Sequence, residues 1–165
     1  MKIAIVYASQ TGNTEELVHI LYKLFRKHGV NVEVYKINEF PLDTLPDYDG
    51  IIVGTYTWGD GEIPTEMASL YQAFENQDVS HVTTGIIGTG DRFYAHFCGA
   101  VDRFRDMLYV HTQLAVTLKV ELSPQTSDND KCHRFVELFF KRCESSFGSL
   151  NIDSALLNRV KPCYK

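Results

Sequence analysis

Short apolar runs alternate with segments of helical periodicity along this chain, and that alternation restricts the possible folds most. The first run, Ile3–Ala8, is rich in strand-forming residues and too short for a typical helix, so it predicts a buried strand. Apolar residues then recur at helical spacing from Leu17 to Phe25, and Gly29 suits the position just past a helix that ends near His28.

The remainder of the chain repeats this pattern. Four further strands are predicted at Asn31–Ile37, Gly50–Gly54, Gly85–Ile87 and Leu114–Leu122. Three further helices are predicted: Pro64–Glu75, Tyr94–Tyr109, and a last helix capped by Ser127 or Asp128 with Phe135, Leu138 and Phe139 on its apolar face. Five strands alternating with helices predict an α/β fold, a parallel sheet with right-handed crossovers and helices on both faces.

Length and composition indicate one soluble domain. We expect residues 1–145 to form it and residues 146–165 to be a C-terminal extension that packs on it or trails from it.

The net charge of −5, without a basic stripe, argues against nucleic acid as a partner. We also expect a cytoplasmic protein, because no apolar run reaches membrane-spanning length and the N-terminus does not resemble a signal peptide. The four cysteines lack zinc-site spacing, which favours reduced thiols: Cys98, Cys132, Cys143 and Cys163.

A polar loop joins the first predicted strand to the first helix, and its sequence is Ser9-Gln10-Thr11-Gly12-Asn13-Thr14. The unpaired N–H groups of a helix N-terminus favour an anion, and the hydroxyl and amide side chains add donors. No lysine or arginine lies between Ala8 and Tyr22, so a phosphate would be held by neutral dipoles. The loop lacks a P-loop lysine and a dinucleotide-binding fingerprint. The alternative is an ordinary capped helix start, with Asn13 and Glu16 as a capping pair.

Two further glycine-containing loops follow the third and fourth strands, so all three loops are expected at the same edge of the sheet. Thr55–Gly61 contains the only tryptophan, Trp58, and Gly88–Tyr94 ends in a tyrosine. Two aromatic side chains beside backbone donors suit a planar heterocycle. The alternatives are a Trp58 that folds back over a helix, and plain core packing for Phe97 and Cys98.

Together these three loops resemble those of the flavodoxins, and in particular of short-chain flavodoxins, because the fifth strand has no long insertion. The resemblance covers about residues 1–145 and implies a doubly wound five-stranded sheet of order 2-1-3-4-5. It also implies noncovalently bound FMN and a low-potential one-electron carrier, which would use the neutral semiquinone and hydroquinone states. A flavodoxin reductase or similar NAD(P)H-linked donor and redox acceptor enzymes would be its partners, and we expect a monomer.

The resemblance assigns roles to seventeen residues. The phosphate loop would comprise Ser9, Gln10, Thr11, Gly12, Asn13 and Thr14. The two sides of the flavin ring would be contacted by Tyr56, Thr57, Trp58 and Gly59 and by Gly88, Thr89, Gly90, Asp91 and Tyr94, with Phe97 and Cys98 in support. Arg92 and His96 depart from the family pattern, which is usually neutral or acidic in this loop.

Three other functions remain open at this stage. The first is an FMN enzyme or dedicated activator on the same fold, although no additional catalytic pair is apparent. The second is a phospho-acceptor receiver, which would need acidic residues where this chain has Ala8-Ser9 and Gly54-Thr55. The third is a flavin-free interaction module, which would leave Trp58 unexplained.

Overall fold

The computed structural model describes the backbone of residues 1–157 and the side chains of residues 1–146. Its centre is a five-stranded, all-parallel sheet with the order β2-β1-β3-β4-β5, which confirms the predicted fold class. The strands are β1 (Ile3–Tyr7), β2 (Val32–Lys36), β3 (Gly50–Tyr56), β4 (Thr83–Gly90) and β5 (Gln113–Glu121). The fourth strand is longer than predicted at both ends, because Thr83 and Thr89 extend the ladder with β3.

In the described residues four α-helices cover the sheet: α1 (Asn13–Lys27), α2 (Ala68–Asn76), α3 (Gly99–His111) and α4 (Asn129–Leu157). Alternate residues of each inner strand pack into opposite layers, as expected for strands that are covered on both faces. On β1, for example, Ala4 and Val6 belong to the cluster beneath α2 and α3, whereas Ile3 and Ile5 belong to the cluster beneath α1 and α4.

The start of α3 differs from the prediction, because this helix begins at Gly99 and not near Tyr94. Residues 91–98 form a separate loop, in which the Phe93 N–H donates to the Asp91 carboxylate at 2.8 Å. At the end of the loop Cys98 has a left-handed backbone, with φ of 53°, which interrupts a helix. Tyr94 and Phe97, which the prediction placed in this helix, therefore belong to a loop at the edge of the sheet.

The last helix has 29 residues, from Asn129 to Leu157. Its buried side chains include Phe135 and Phe139, as the sequence predicts. The predicted amphipathic segment, with Leu150, Ile152, Leu156, Leu157 and Val160, lies outside the residues whose side chains are described. The boundary between a domain of 1–145 and an extension therefore stays a prediction.

Candidate functional site

One cleft lies at the carboxyl edge of the sheet, where the chain leaves β1, β3 and β4. It has a volume of about 540 Å³, within the range typical of small-molecule and cofactor sites. It also lies at the point where the strand order reverses between β1 and β3, which is where doubly wound sheets bind ligands. Its walls come from the three loops and the end of β5: Gln10, Thr11, Asn13, Tyr56, Thr57, Trp58, Gly59, Thr89, Gly90, Asp91, Tyr94, His96, Cys98 and Leu122.

The first loop presents the N-terminus of α1 to this cleft. Gly12 has a left-handed backbone with φ of 91°, and a Cβ built there would meet no atom within 4 Å, so the loop turns into open space. The Ser9 hydroxyl accepts the N–H of Glu15 at 3.3 Å, and this leaves its O–H free to donate. In the described part of the chain, no acceptor receives the N–H groups of Gly12, Asn13 or Thr14. These groups form a neutral cradle that suits a phosphate.

The second loop is a tight hairpin, Trp58–Glu62. The backbone N–H groups of Trp58 and Glu62 donate to each other's carbonyl oxygens at 2.9 and 2.8 Å. Gly59 and Gly61 have positive φ values of 51° and 97°, which glycine adopts without steric cost. The Trp58 side chain is 51% exposed and lines the cleft, so it does not fold back over a helix.

The third loop, residues 91–98, forms the opposite part of the cleft. Its Tyr94 side chain is 56% exposed and lines the cleft, whereas the neighbouring Phe93 is 90% exposed and does not. At the base of the loop the Cys98 thiol is buried, and burial raises its pKa to about 12. The Thr14 and Thr89 hydroxyl groups are 2.8 Å apart, and this buried contact joins the first loop to the end of β4.

Twelve of the seventeen predicted residues line the cleft, and five do not. Those five are Ser9, Gly12, Thr14, Gly88 and Phe97, none of which lines the cleft with its side chain. Gly88 has a packing reason, because a Cβ there would lie 2.3 Å from the Val101 side chain and 2.5 Å from the Thr55 carbonyl oxygen. The roles of all seventeen residues in binding a cofactor remain predictions.

Two cleft residues, His96 and Leu122, were not among the predicted binding residues. The sequence does mark His96 as unusual, but no local pattern points to Leu122. Leu122 lies just past β5 with a left-handed backbone, φ 53°, and its N–H donates to the Gly90 carbonyl oxygen at 2.8 Å. Only the pairing of β4 with β5 brings it to the site.

The positive charges near the third loop are already paired. Arg92 lies 3.3 Å from the Glu121 carboxylate and stacks over the Phe97 ring at 5.2 Å. Lys119 contacts the Asp102 carboxylate at 2.7 Å. The cleft wall itself contains no lysine or arginine among the described residues. A phosphate in the cleft would therefore interact with dipoles rather than with a formal cation.

Comparison with known proteins identifies the family. The family model described as flavodoxin matches residues 5–135. The chain belongs to the flavodoxin family. Flavodoxins are FMN-binding electron-transfer proteins, and such carriers have redox partners. The chain is 34% identical to probable flavodoxin 1 of Bacillus subtilis over 142 residues, which cover 84% of this chain and 89% of that protein.

Solved structures of flavodoxins resemble this one closely. Oxidised flavodoxin 1 of Bacillus cereus is 35% identical, with a TM-score of 0.79 over 86% of this chain and 98% of its own. A short-chain flavodoxin associated with a PDU bacterial microcompartment is 28% identical, with a TM-score of 0.81 over 87% and 99% of the two chains. Neither match covers the whole of this flavodoxin-family chain.

Two other features are absent from the described part of the chain, a membrane-spanning helix and a metal-binding cluster. Within the described residues, no helix is both long and apolar enough to cross a membrane. The same part of the chain contains no group of three or more histidine, cysteine, aspartate or glutamate side chains arranged to hold a metal ion. Cys98, Cys132 and Cys143 are buried free thiols, and Cys163 lies outside the described residues.

Proposed function

We propose that this flavodoxin-family chain is a low-potential, one-electron carrier that binds FMN noncovalently in the cleft. When bound, FMN supplies one-electron chemistry, and we assign the working couple to its neutral semiquinone and hydroquinone states. The observation that carries the proposal is the convergence of a neutral phosphate cradle and two half-exposed aromatic side chains, Trp58 and Tyr94, in one cleft. The residues present therefore fit FMN.

In this proposal the phosphate is bound by the first loop. The free N–H groups of Gly12, Asn13 and Thr14 donate to it, supported by the side chains of Ser9, Thr11 and Asn13. Charge-assisted hydrogen bonds of this kind contribute roughly 1.5–3 kcal/mol each. Gln10 borders the same end of the cleft. Thr14 uses its hydroxyl to hold the loop against Thr89.

The ring end of the cleft is formed by the second and third loops. Trp58 and Tyr94 provide apolar surface, while Thr57 and Asp91 provide polar groups at its border. The Thr57 hydroxyl also accepts the N–H of Ala100 at 3.3 Å, which fixes the start of the hairpin against α3. We assign Gly88, Phe97 and Cys98 a supporting role next to the ring. Of these three residues, Cys98 lines the cleft, whereas Gly88 and Phe97 do not.

The charges around the cleft favour a low potential for the second electron. Asp60, Glu62 and Glu66 lie on or just after the hairpin, and Asp91 lines the cleft. Added negative charge would be disfavoured beside these carboxylates and within an aromatic-walled site. The nearby Arg92 offers little compensation, because it is engaged with Glu121.

We also propose redox partners, a location in the cell and an oligomeric state for this protein. A flavodoxin reductase or similar NAD(P)H-linked protein would be the donor, and enzymes that accept electrons one at a time would be the acceptors. We place this carrier in the cytoplasm as a monomer, with neither nucleic acid nor membrane as a partner. Residues 1–145 would be the FMN-binding domain and residues 146–165 a C-terminal extension.

The deciding experiment is a visible absorption spectrum of the purified chain, loaded with FMN, during stepwise anaerobic reduction. We expect a two-banded flavin spectrum that passes through a long-wavelength intermediate before it bleaches. Direct bleaching without that intermediate would favour a two-electron FMN enzyme on the same fold. Failure to bind FMN at all would overturn the proposed function.

A further inference from the structure

A side-chain contact between His96 and Asp60 joins the hairpin Trp58–Glu62 to the loop 91–98. The His96 Nδ1 atom lies 3.0 Å from the Asp60 Oδ1 atom, and the two residues are 36 positions apart in the chain. Both side chains are more than 60% exposed. This contact joins the element that carries Trp58 to the element that carries Tyr94.

The backbones of the same two elements are in close contact beneath that pair. A Cβ built on Gly61 would lie 2.8 Å from the His96 Cβ atom, and one built on Gly99 would lie 2.5 Å from the Gly61 Cα atom. The hairpin therefore rests directly on residues 96–99, with no side chain between the two backbones. Since His96 also lines the cleft, it lies at the junction of the hairpin, the loop and the site.

The charged groups near His96 leave Asp60 as its direct partner. The hairpin also carries Glu62, and the loop carries Asp91 and Arg92, of which Arg92 is paired with Glu121 at the end of β5. The positive charge of Lys119 on β5 is paired as well, because its ammonium group contacts the Asp102 carboxylate at the start of α3. The only cationic group in contact with Asp60 within the described residues is thus the His96 imidazole in its protonated form.

We propose that His96 is a positioning residue of the cleft, which holds the Trp58 hairpin through Asp60 more firmly when its imidazole is protonated. The neutral ring can donate one hydrogen bond from Nδ1, and protonation adds a charge to the same contact. Histidines are the side chains that usually change charge between pH 5 and 8. Lower pH would therefore tighten the hairpin, and it would also place a positive charge at the wall of the cleft.

The inference is tested first on the full chain without added flavin, because Trp58 is the only tryptophan and its emission reports on the hairpin. We expect acrylamide quenching of Trp58 to decrease between pH 8 and pH 5.5 in the wild type but not in His96→Gln, which keeps a polar side chain without the charge. Asp60→Asn should lose the pH effect as well. His133→Gln, an exposed histidine on α4, is the matched control and should behave as wild type.

The second measurement is FMN affinity, and this part rests on the proposed function. Exposed ion pairs contribute little, so the His96→Gln dissociation constant should exceed that of the wild type by about twofold to fivefold at pH 5.5. That ratio should approach one at pH 8. The midpoint potential for the second electron should be more negative in His96→Gln than in the wild type at pH 5.5, with a smaller difference at pH 8.

The two proposals fail in distinguishable ways. Wild-type quenching that does not change with pH, or a pH effect that survives in Asp60→Asn, would overturn the role of His96 even if FMN binds normally. Conversely, a chain that shows the Trp58 effect but binds no FMN would keep the His96–Asp60 link and overturn the proposed function.

Discussion

At the scale of single residues, three exposed aromatic side chains near the cleft separate into two kinds. Trp58 and Tyr94 are 51% and 56% exposed and line the cleft, so a planar ligand would cover surface that water now contacts. Phe93 is 90% exposed and lies outside the wall, although its ring makes an edge-on contact with Tyr94 at 6.0 Å. Their positions predict different contributions to FMN binding.

Replacement of either cleft aromatic by alanine should weaken FMN binding. Covering an aromatic side chain contributes about 1–3 kcal/mol, so Trp58→Ala and Tyr94→Ala should each raise the dissociation constant by roughly 5- to 150-fold. Equilibrium dialysis against FMN measures this directly. Phe93→Ala is the matched control and should change affinity little. An equal loss in all three variants would contradict this assignment of the cleft wall.

The sequence predicted those two aromatics but missed Leu122, and the reason is physical. Trp58 and Tyr94 stand in or beside glycine-containing loops that directly follow strands, so their location follows from local sequence and topology. Leu122 comes to the cleft because β5 pairs with β4 and because the backbone turns left-handed after Glu121. Nothing in the adjacent residues of the chain specifies either condition.

At the scale of elements, the misplaced start of α3 shows how distant contacts override a local pattern. Tyr94 and Phe97 have helical spacing with the residues that follow, yet they belong to a loop. That loop is held from β5: Arg92 pairs with Glu121, and the Lys119 ammonium lies 3.5 Å from the Phe97 carbonyl oxygen, to which it donates. These contacts join residues more than twenty positions apart, so helical periodicity alone could not reveal them.

The segment before α4 differs from the prediction, because Asp128 closes a capping box with Gln125 around the short 3-10 helix Thr126–Asp128 and does not cap the first turn of α4. The Asp128 carboxylate accepts the N–H of Gln125 at 3.0 Å and contacts the Lys131 ammonium at 2.8 Å. Together the Lys131 and Gln125 hydrogen bonds lower the pKa of Asp128 below its ordinary value. The Asp128 carboxylate therefore contributes its full stabilisation above about pH 4. That contribution is lost as the pH falls through the lowered pKa of Asp128 in the folded chain.

Asp128→Ala should therefore destabilise the chain in a pH-dependent manner. We expect a loss of about 0.5–2 kcal/mol in the free energy of unfolding at pH 7, typical of a lost capping hydrogen bond. The difference from wild type should shrink as the pH falls below 4. Urea unfolding at several pH values measures it, with Asp130→Ala, an exposed aspartate in the first turn of α4, as control. A difference that stays constant down to pH 2.5 would contradict the charge-dependent cap.

At the scale of the whole molecule, the sequence specified the layers better than the site. Alternation of short apolar runs with helices is enough to predict a parallel sheet covered on both faces, and both clusters of the core are present. The strand order 2-1-3-4-5 was predicted from the resemblance of the three loops to those of flavodoxins, because the local sequence does not specify on which side of a strand the next strand pairs. The contact between Asp60 and His96 depends on that order, since it joins loops that follow β3 and β4.

Both layers of the core also contain buried thiols, which should make the whole molecule sensitive to alkaline pH. Cys98 lies in the layer beneath α2 and α3, and Cys132 and Cys143 lie in the layer beneath α1 and α4. Burial raises the pKa of Cys98 to about 12 and those of Cys132 and Cys143 to about 11. The unfolded chain releases these protons from about pH 8.5. The buried thiols therefore contribute their full stabilisation below that pH. The free energy of unfolding falls as the pH rises toward the pKa values of the thiols in the folded chain.

Cys143→Ala should reduce this alkaline loss of stability. One buried thiol accounts for a loss of about 2 kcal/mol between pH 8 and pH 10, because the slope approaches about 1.4 kcal/mol per pH unit. Urea unfolding under reducing conditions at a series of pH values measures it. Val136→Ala, which truncates a buried side chain of α4 that carries no titratable group, should lower stability equally at all pH values. If Cys143→Ala also ran parallel to wild type, the Cys143 thiol would not be the group that couples folding to alkaline pH.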